Sequence, residues 1–344
     1  MPENVVEVVI LPIENLNKAL ATLAKYSHKT LKPAFSEYKV YIPLRESPGR
    51  NVVDFIKQEL NAEITWMLPD IFPKRKQIIS LKKLEKSVGV PIPKSATLVG
   101  DILLVNKLPE AAQGREYEIG KVLLKNFGVR AVFLKAEKFN GIQRVASWHK
   151  LAGWGDTFTV HRENGCWFSL DISKVFFNPR LSNERLVIAE RVERDEFVVD
   201  MFAGVGPFAI LIKKLSGAQV CAIDINKHAV EFMKLNSKLN KVSISILEGD
   251  ARLKIAEVGY EASRIIMNYP ERSIEFIDSA ISVLRSYGFI HVYVFSRVDE
   301  LESLVHRIED IVQSHDRKII NLSSRVIEEV SPRRYIYCID LQVL

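Results

Sequence analysis

Apolar and polar positions change period several times along the chain. VVEVVILPI and KVYIPL have strand character, whereas NLNKALATLAKYS and NVVDFIKQELN read as amphipathic helices; together they suffice for a small α/β or α+β module. Pro69, Pro73 and the basic residues of LPDIFPKRK read as a linker that places a first boundary near residue 65. Farther on, SATLVGDILLVNKL and AVFLKA look like strands, and EYEIGKVLLKNFG predicts a helix stopped at Gly128. A second small α/β unit follows from them. DTFTVHRENGCWFSLDI alternates apolar and polar residues on both sides of Asn164-Gly165, which predicts a β-hairpin joining this unit to the next.

Beyond residue 180 the pattern settles into strand, helix, strand, helix, from EFVVDMFA and PFAILIKKLS to ELESLVHRIEDIVQSH and RYIYCIDLQV. Such alternation needs crossover connections, and so predicts a mostly parallel, doubly wound Rossmann-like sheet. The expected domains are roughly residues 1–65, 66–165 and 166–344, in keeping with a chain longer than one ordinary domain. A composition of 47% hydrophobic and 26% charged residues is that of a folded globular protein and excludes extensive disorder. No apolar run approaches a membrane span and the start is acidic, so a cytoplasmic protein is expected. Cys166, Cys221 and Cys338 are odd in number and far apart, which suggests neither a disulfide framework nor a zinc site. The net charge of +6 favours a polyanionic partner.

The candidate chemistry sits on strand ends. DMFAGVGPF puts Asp200, Phe202, Gly204 and Gly206 directly after the strand FVVD. A dinucleotide fingerprint would offer helix-terminal amides to a pyrophosphate; here an acidic residue precedes the glycines and Pro207 opens the helix, which suits a cationic amino-acid group. S-adenosylmethionine carries such a group. Asp224 ends the next strand, where a carboxylate can accept both ribose hydroxyls, with Ile225 beside it. Asp250 and Ala251 follow the third strand, placing Asp250 to receive an adenine amino group. The fourth strand gives way to Asn268-Tyr269-Pro270, where an amide and a fixed-φ proline can hold a base edge. Upstream, FFNPRLSNER holds Phe177, Arg180, Glu184 and Arg185 before a helix; for Glu184 a favourable place near the helix N-terminus is an equally good reading.

Taken in order, FFNPRLSNER, DMFAGVGPF, AIDIN, GDAR, RIIMNYP and SPRRYIYCIDL resemble the archaeal and eukaryotic tRNA (guanine-37-N1)-methyltransferases, a likeness that is specific over the last half of the chain. The resemblance implies a class I methyltransferase domain using S-adenosylmethionine, with tRNA as partner through its anticodon stem-loop and outer corner. It implies that Glu184 takes the N1 proton of guanine, that Arg144 in FNGIQR stabilises charge on O6, and that Arg180, Asn268 and Pro270 complete the catalytic set. Phe177, Arg185, Asp200, Phe202, Gly204, Gly206, Asp224, Ile225, Asp250, Ala251 and Asn268 are then the cofactor residues. Trp148, His149 and Trp154 stand in the middle segment that would complete the base pocket, although packing is the commoner role for such residues. The family's usual Asn-Leu-Pro is Asn268-Tyr269-Pro270 here, which opens a tricyclic guanine as a further substrate. Two alternatives remain: a wyosine-pathway enzyme acting at the same position, by methylation or aminocarboxypropyl transfer, and a catalytically silent tRNA-binding protein. The aminocarboxypropyl branch lacks the Asn-x-Pro segment, so Asn268 and Pro270 favour methyl transfer.

Overall fold

In the computed structural model, residues 5–74, 78–136, 146–259 and 262–344 are described. The chain divides into two compact units, residues 1–162 with 169–179, and residues 163–168 with 180–344.

The first unit begins with β1 (Val6–Pro12), α1 (Leu16–Thr22), β2 (Ala34–Ser36), β3 (Lys39–Pro43), α2 (Arg50–Glu59) and β4 (Glu63–Met67). The strands form one antiparallel sheet in the order β2-β3-β1-β4. The expected boundary near residue 65 therefore cuts through β4, whose Thr65 faces Val8 of β1. β4 is an edge strand with little burial, so its alternation was too weak to mark where the module ends. There follow α3 (Leu81–Val88), β5 (Ala96–Val99), β6 (Ile102–Val105), α4 (Glu116–Phe127), β7 (Ala131–Lys135) and β8 (Trp148–Gly153), with sheet order β5-β6-β7-β8. α4 ends at Gly128 in the left-handed conformation (φ +58°), a helix stop that glycine adopts without steric cost.

The two small sheets do not stand apart as separate units. Arg130, wholly buried, pairs with Asp101 at 2.9 Å and donates to the carbonyls of Trp154, Asp156 and Phe158, while Asp101 also accepts the Phe35 amide at 2.8 Å. A buried charge held by so many partners ties β2 of the first sheet to the second sheet, which is why the first two expected domains are one compact unit. Trp154 belongs to the same packing: its indole donates to Ile71 O at 2.5 Å and its ring meets Tyr41 edge-on. β9 (Phe158–Glu163) and β10 (Cys166–Asp171) form the expected hairpin, with Asn164 and Gly165 both at positive φ as a type I′ turn requires.

The second unit carries α5 (Ser182–Ala189), β11 (Phe197–Asp200), α6 (Pro207–Ser216), β12 (Gln219–Asp224), α7 (Lys227–Leu239), β13 (Ser245–Glu248), α8 (Ala251–Lys254), β14 (Ala262–Met267), α9 (Ile277–Val283), β15 (Leu284–Ser296), α10 (Leu301–Ser314), β16 (Ile319–Ser331) and β17 (Arg334–Val343). Its sheet order is β13-β12-β11-β14-β15-β17-β16. Five strands run parallel from β13 to β15, and β17 is antiparallel to both β15 and β16. This is the expected Rossmann-like sheet, closed by a long antiparallel hairpin. Because β12 and β13 build to one side of β11 while β14 and β15 build to the other, the order reverses beside β11, and such a switch point opens a crevice at the strand carboxyl ends. Val199, Ile265, Ile290, Val292 and Ile339 fill the core beneath it.

Candidate active site

The glycine turn is built from its backbone outward. Ala203 N–H donates to Ile223 O and Gly206 N–H to Ala203 O, both at 2.9 Å, so the loop folds back over β12 before α6 begins. Gly206 caps α6 at φ +87°, and a Cβ there would stand 2.8 Å from Met233 Cγ. Pro207 supplies the first helical residue with its φ already set. From α7, Asn236 donates to Val205 O at 3.1 Å and holds the loop from behind. Gly204, at φ +55°, is different: a Cβ there would meet nothing, so the turn leaves open space at its tip.

Four residues named by their strand-end positions come together at the switch point. Asp200, Asp224, Asp250 and Asn268 follow or end the adjacent strands β11, β12, β13 and β14. Asp200 is fully buried; Oδ1 accepts the Phe202 amide at 3.4 Å, and among the described residues Oδ2 has no hydrogen-bond partner. Burial, with the Asp224 charge adding to it, pushes its carboxyl up to about 7 from an ordinary 3.8. A buried carboxylate oxygen without a partner is costly unless a cation comes to it. Asp224 receives the Gly204 amide at 2.6 Å on Oδ2 and the Asn226 amide at 2.8 Å on Oδ1. It thereby fixes the glycine turn, and each oxygen retains a lone pair for a hydroxyl donor. Burial raises its pKa as well. Ile225 beside it exposes 41% of its surface, an apolar face on which a planar ring can lie. Asp250 caps α8 and is gripped by its neighbour Arg252 at 2.6 Å; that side-chain hydrogen bond lowers its pKa. Ala251 is buried.

These features fit S-adenosylmethionine: a partnerless acidic oxygen for its ammonium, a hydroxyl-accepting carboxylate one strand away, an exposed aliphatic side chain, and a turn with room at Gly204.

The Asn268-Tyr269-Pro270 turn is held rigidly. Ser273 Oγ accepts the Tyr269 amide at 3.2 Å and donates to Met267 O at 2.7 Å, while Phe295 N–H donates to Pro270 O at 3.1 Å. The Tyr269 ring lies 5.1 Å from that of Phe202, and Phe202 meets Phe276 edge-on at 4.9 Å. The aromatic face that the sequence adds at position 269 therefore packs on the glycine turn. Among the described residues, the Asn268 side-chain amide has no hydrogen-bond partner, which leaves both its donor and its acceptor for a ligand.

Glu184 lies on the first turn of α5, buried, and its partners come from the far side of the sheet order. Oε1 accepts from Tyr293 Oη at 2.5 Å and from Arg325 Nη2 at 2.5 Å; among the described residues Oε2 accepts only the longer contact from Arg325 Nε at 3.3 Å. Burial pushes the Tyr293 phenol well above its ordinary range, so it remains a donor. Tyr293 packs 5.9 Å from Phe208 on α6, and the Arg185 guanidinium lies 5.9 Å over the same ring. Arg185 itself pairs with Glu163 at 2.6 Å, both buried. Burial lowers its pKa. Its charge in turn reaches Asp200, which it acts to lower. α5 is in this way coupled to the glycine turn.

The remaining expected residues fall in different places. Arg180 forms an exposed ion pair with Glu328 of β16 at 2.6 Å. Phe177 belongs to the first unit, its ring 5.1 Å from His161, and Trp148 there donates to Ile172 O at 3.0 Å. Arg144 lies outside the described residues. Sequence reasoning missed Arg325 and Tyr293 as partners of Glu184. IINLSSRVIEEVS was not read as a strand because β16 is a mostly exposed edge with no regular apolar alternation, and only a register could have put Arg325 opposite Cys338, and Cys338 opposite Tyr293.

A family model described as the TRM5/TYW2 methyltransferase domain matches residues 159–320. The chain is 39% identical over 256 residues to the tRNA (guanine(37)-N(1))-methyltransferase Trm5b of Pyrococcus abyssi, covering 73% of this chain and 76% of that one. It is 35% identical over 225 residues to the tRNA(Phe) (4-demethylwyosine(37)-C(7)) aminocarboxypropyltransferase of Pyrococcus horikoshii, covering 65% and 79%. Among solved structures, Methanocaldococcus jannaschii Trm5 in complex with adenosine superposes with a TM-score of 0.63 at 28% identity, over 98% of this chain and 99% of that one.

Proposed function

The chain belongs to the TRM5/TYW2 methyltransferase family, and from that membership we propose that it methylates N1 of guanosine 37 in tRNA, with S-adenosylmethionine as donor and Glu184 as general base. The observation that carries this reading is the placement, on the adjacent strand ends of β11 and β14, of a buried Asp200 oxygen and an Asn268 amide that have no hydrogen-bond partner among the described residues. The first calls for a cation, the second for a ligand edge that both donates and accepts.

Bound S-adenosylmethionine supplies a methyl group on a sulfonium. Asp200 would hold its ammonium, Asp224 would accept the ribose hydroxyls, and Ile225, Asp250 and Ala251 would line the adenine, while Phe202, Gly204 and Gly206 shape the turn. Arg185 braces α5 against that turn. Asn268, kept in place by Pro270, offers its amide to the base edge. Guanine N1 carries a proton at neutral pH and is a poor nucleophile until it is lost; Glu184 takes that proton on Oε2, which holds only the longer Arg325 contact among the described residues and keeps a lone pair for it. Arg144 supplies the cation for charge developing on O6. With that proton on Glu184, N1 would take the methyl group that the sulfonium supplies, and the sulfur would leave as a neutral thioether. The first unit reads tRNA at the anticodon stem-loop and outer corner, and the chain's net charge of +6 favours such a polyanion. An unpaired loop base is the least costly to draw into such a pocket.

The aminocarboxypropyl reading has a comparable relative in its favour. It is disfavoured by the Asn268-Tyr269-Pro270 turn. Intact-mass analysis of tRNA after reaction separates the two: a gain of one methyl group supports the proposal, and a gain of an aminocarboxypropyl group overturns it.

A further inference from the structure

We propose that Arg325 is a positioning residue for Glu184, an inference that rests on the general-base reading and extends it to a strand from which no catalytic role was expected. Glu184 has three rotatable side-chain bonds, and a free carboxylate on the first turn of α5 would sample many orientations at an entropic cost to reaction. Here it cannot. Arg325 Nη2 and the Tyr293 hydroxyl both bind Oε1 at 2.5 Å, which saturates that oxygen, while among the described residues Oε2 accepts only the 3.3 Å contact from Arg325 Nε. The carboxylate plane is set, and the oxygen left to receive a proton is always the same one.

Arg325 is itself fixed from behind. Its Nη1 donates to Asp340 Oδ2, and Asp340 Oδ1 accepts from His291 at 2.6 Å. Arg264 approaches the other imidazole nitrogen at 2.8 Å; a guanidinium only donates, so His291 Nε2 is an acceptor and the proton sits on Nδ1, facing Asp340. Burial holds the His291 pKa below its ordinary value, in keeping with this neutral tautomer. Asp340 is buried enough to be pushed up, yet hydrogen bonding from His291 and the charge of Arg325 hold it well below the usual carboxylate range. Sheet register makes the relay possible: His291 and Tyr293 on β15 face Asp340 and Cys338 on β17, which face Ser323 and Arg325 on β16. Alternate residues share one face, so the fork, its anchor and the hydroxyl all meet α5 together.

A guanidinium is needed because it binds Glu184 and Asp340 with different nitrogens at once, which a lysine ammonium does with poorer direction. The test is a double-mutant cycle in single-turnover assays on tRNA, with cofactor affinity and melting temperature measured for every variant. Arg325→Ala is expected to lower the methyl-transfer rate by roughly 100-fold, the scale of a misplacement of about 1 Å, with KM for tRNA and cofactor affinity unchanged. Arg325→Lys is expected to recover about tenfold of that loss, and decides the matter if the alanine form does not fold. In a Glu184→Gln background, where no base remains to position, Arg325→Ala should slow the residual rate by less than about threefold. Full additivity of the two substitutions, or a loss confined to KM, overturns the proposal. Wild-type turnover from Glu184→Gln alone instead overturns the general-base reading on which it stands.

Discussion

Asp200 links proton binding to cofactor binding, and the link has a calculable size. A displacement of its carboxyl from 3.8 to about 7 corresponds to roughly 4 kcal/mol against the ionised form, at about 1.4 kcal/mol per pH unit. Burial is the first cause and the partnerless Oδ2 is its visible sign. The sign follows from linkage. The folded state binds this proton more tightly than the unfolded chain, so the stabilisation is full below about pH 4 and is lost as pH rises through about 7. Asn mimics the protonated form. Asp200→Asn should therefore match the wild-type stability of the cofactor-free protein only below about pH 4, and exceed it increasingly toward pH 8, by up to about 4 kcal/mol in unfolding free energy. Cofactor binding has the opposite sense. Wild-type affinity for S-adenosylmethionine should fall by about tenfold per unit as pH drops below about 7, a range in which an α-amino group stays protonated while Asp200 takes up its proton. Isothermal titration calorimetry between pH 5.5 and 7.5, with denaturation curves over the same range, measures both. An affinity independent of pH across that range, or equal affinity of Asp200→Asn and wild type at pH 7.5, would refute the reasoning.

Three further outcomes follow from the same geometry. Gly204→Ala adds a methyl group to space that no protein atom occupies, so it should cost the fold only about 1 kcal/mol of left-handed strain while abolishing cofactor binding in calorimetry. Gly206→Ala strikes Met233 at 2.8 Å and is strained at φ +87°, so it should lower the unfolding free energy by about 2–4 kcal/mol in urea titrations of the cofactor-free protein. Arg130→Ala strands the buried Asp101 carboxylate and should destabilise the first unit by about 3–5 kcal/mol, seen as an earlier melting transition for probes in residues 1–162.

How much of this was legible depends on where each residue sits. Asp200, Asp224, Asp250 and Asn268 could be placed together from the sequence because parallel strands joined by helices all end on one edge, so adjacency in motif order becomes adjacency in space. The hairpin at Asn164-Gly165 and the helix stop at Gly128 were readable because positive φ restricts residue choice. The domain boundary near 65 was not, since it hinged on a weakly buried edge strand, and the joining of the two small sheets depends on Arg130 and Asp101, whose pairing leaves no local pattern. The junction of α9 and β15 at Val283 is equally hidden, because apolar Val283 and Leu284 satisfy either period. Arg325 was invisible for a stronger reason: it lies 141 residues from Glu184 on an edge strand with little apolar character. Local sequence can nominate a base, but the groups that orient it are chosen by register.

The central claim is that a methyl group is placed on N1 of guanosine 37, and nucleoside analysis of defined tRNA transcripts tests it most directly. Transcripts with guanosine at position 37 and matched transcripts with adenosine there would be incubated with the protein and S-adenosylmethionine, digested, and resolved by liquid chromatography and mass spectrometry. The account predicts 1-methylguanosine from the first set and no methylated nucleoside from the second. Methylation that persists in the adenosine transcripts, or a methylguanosine other than the N1 isomer in the first, would contradict it.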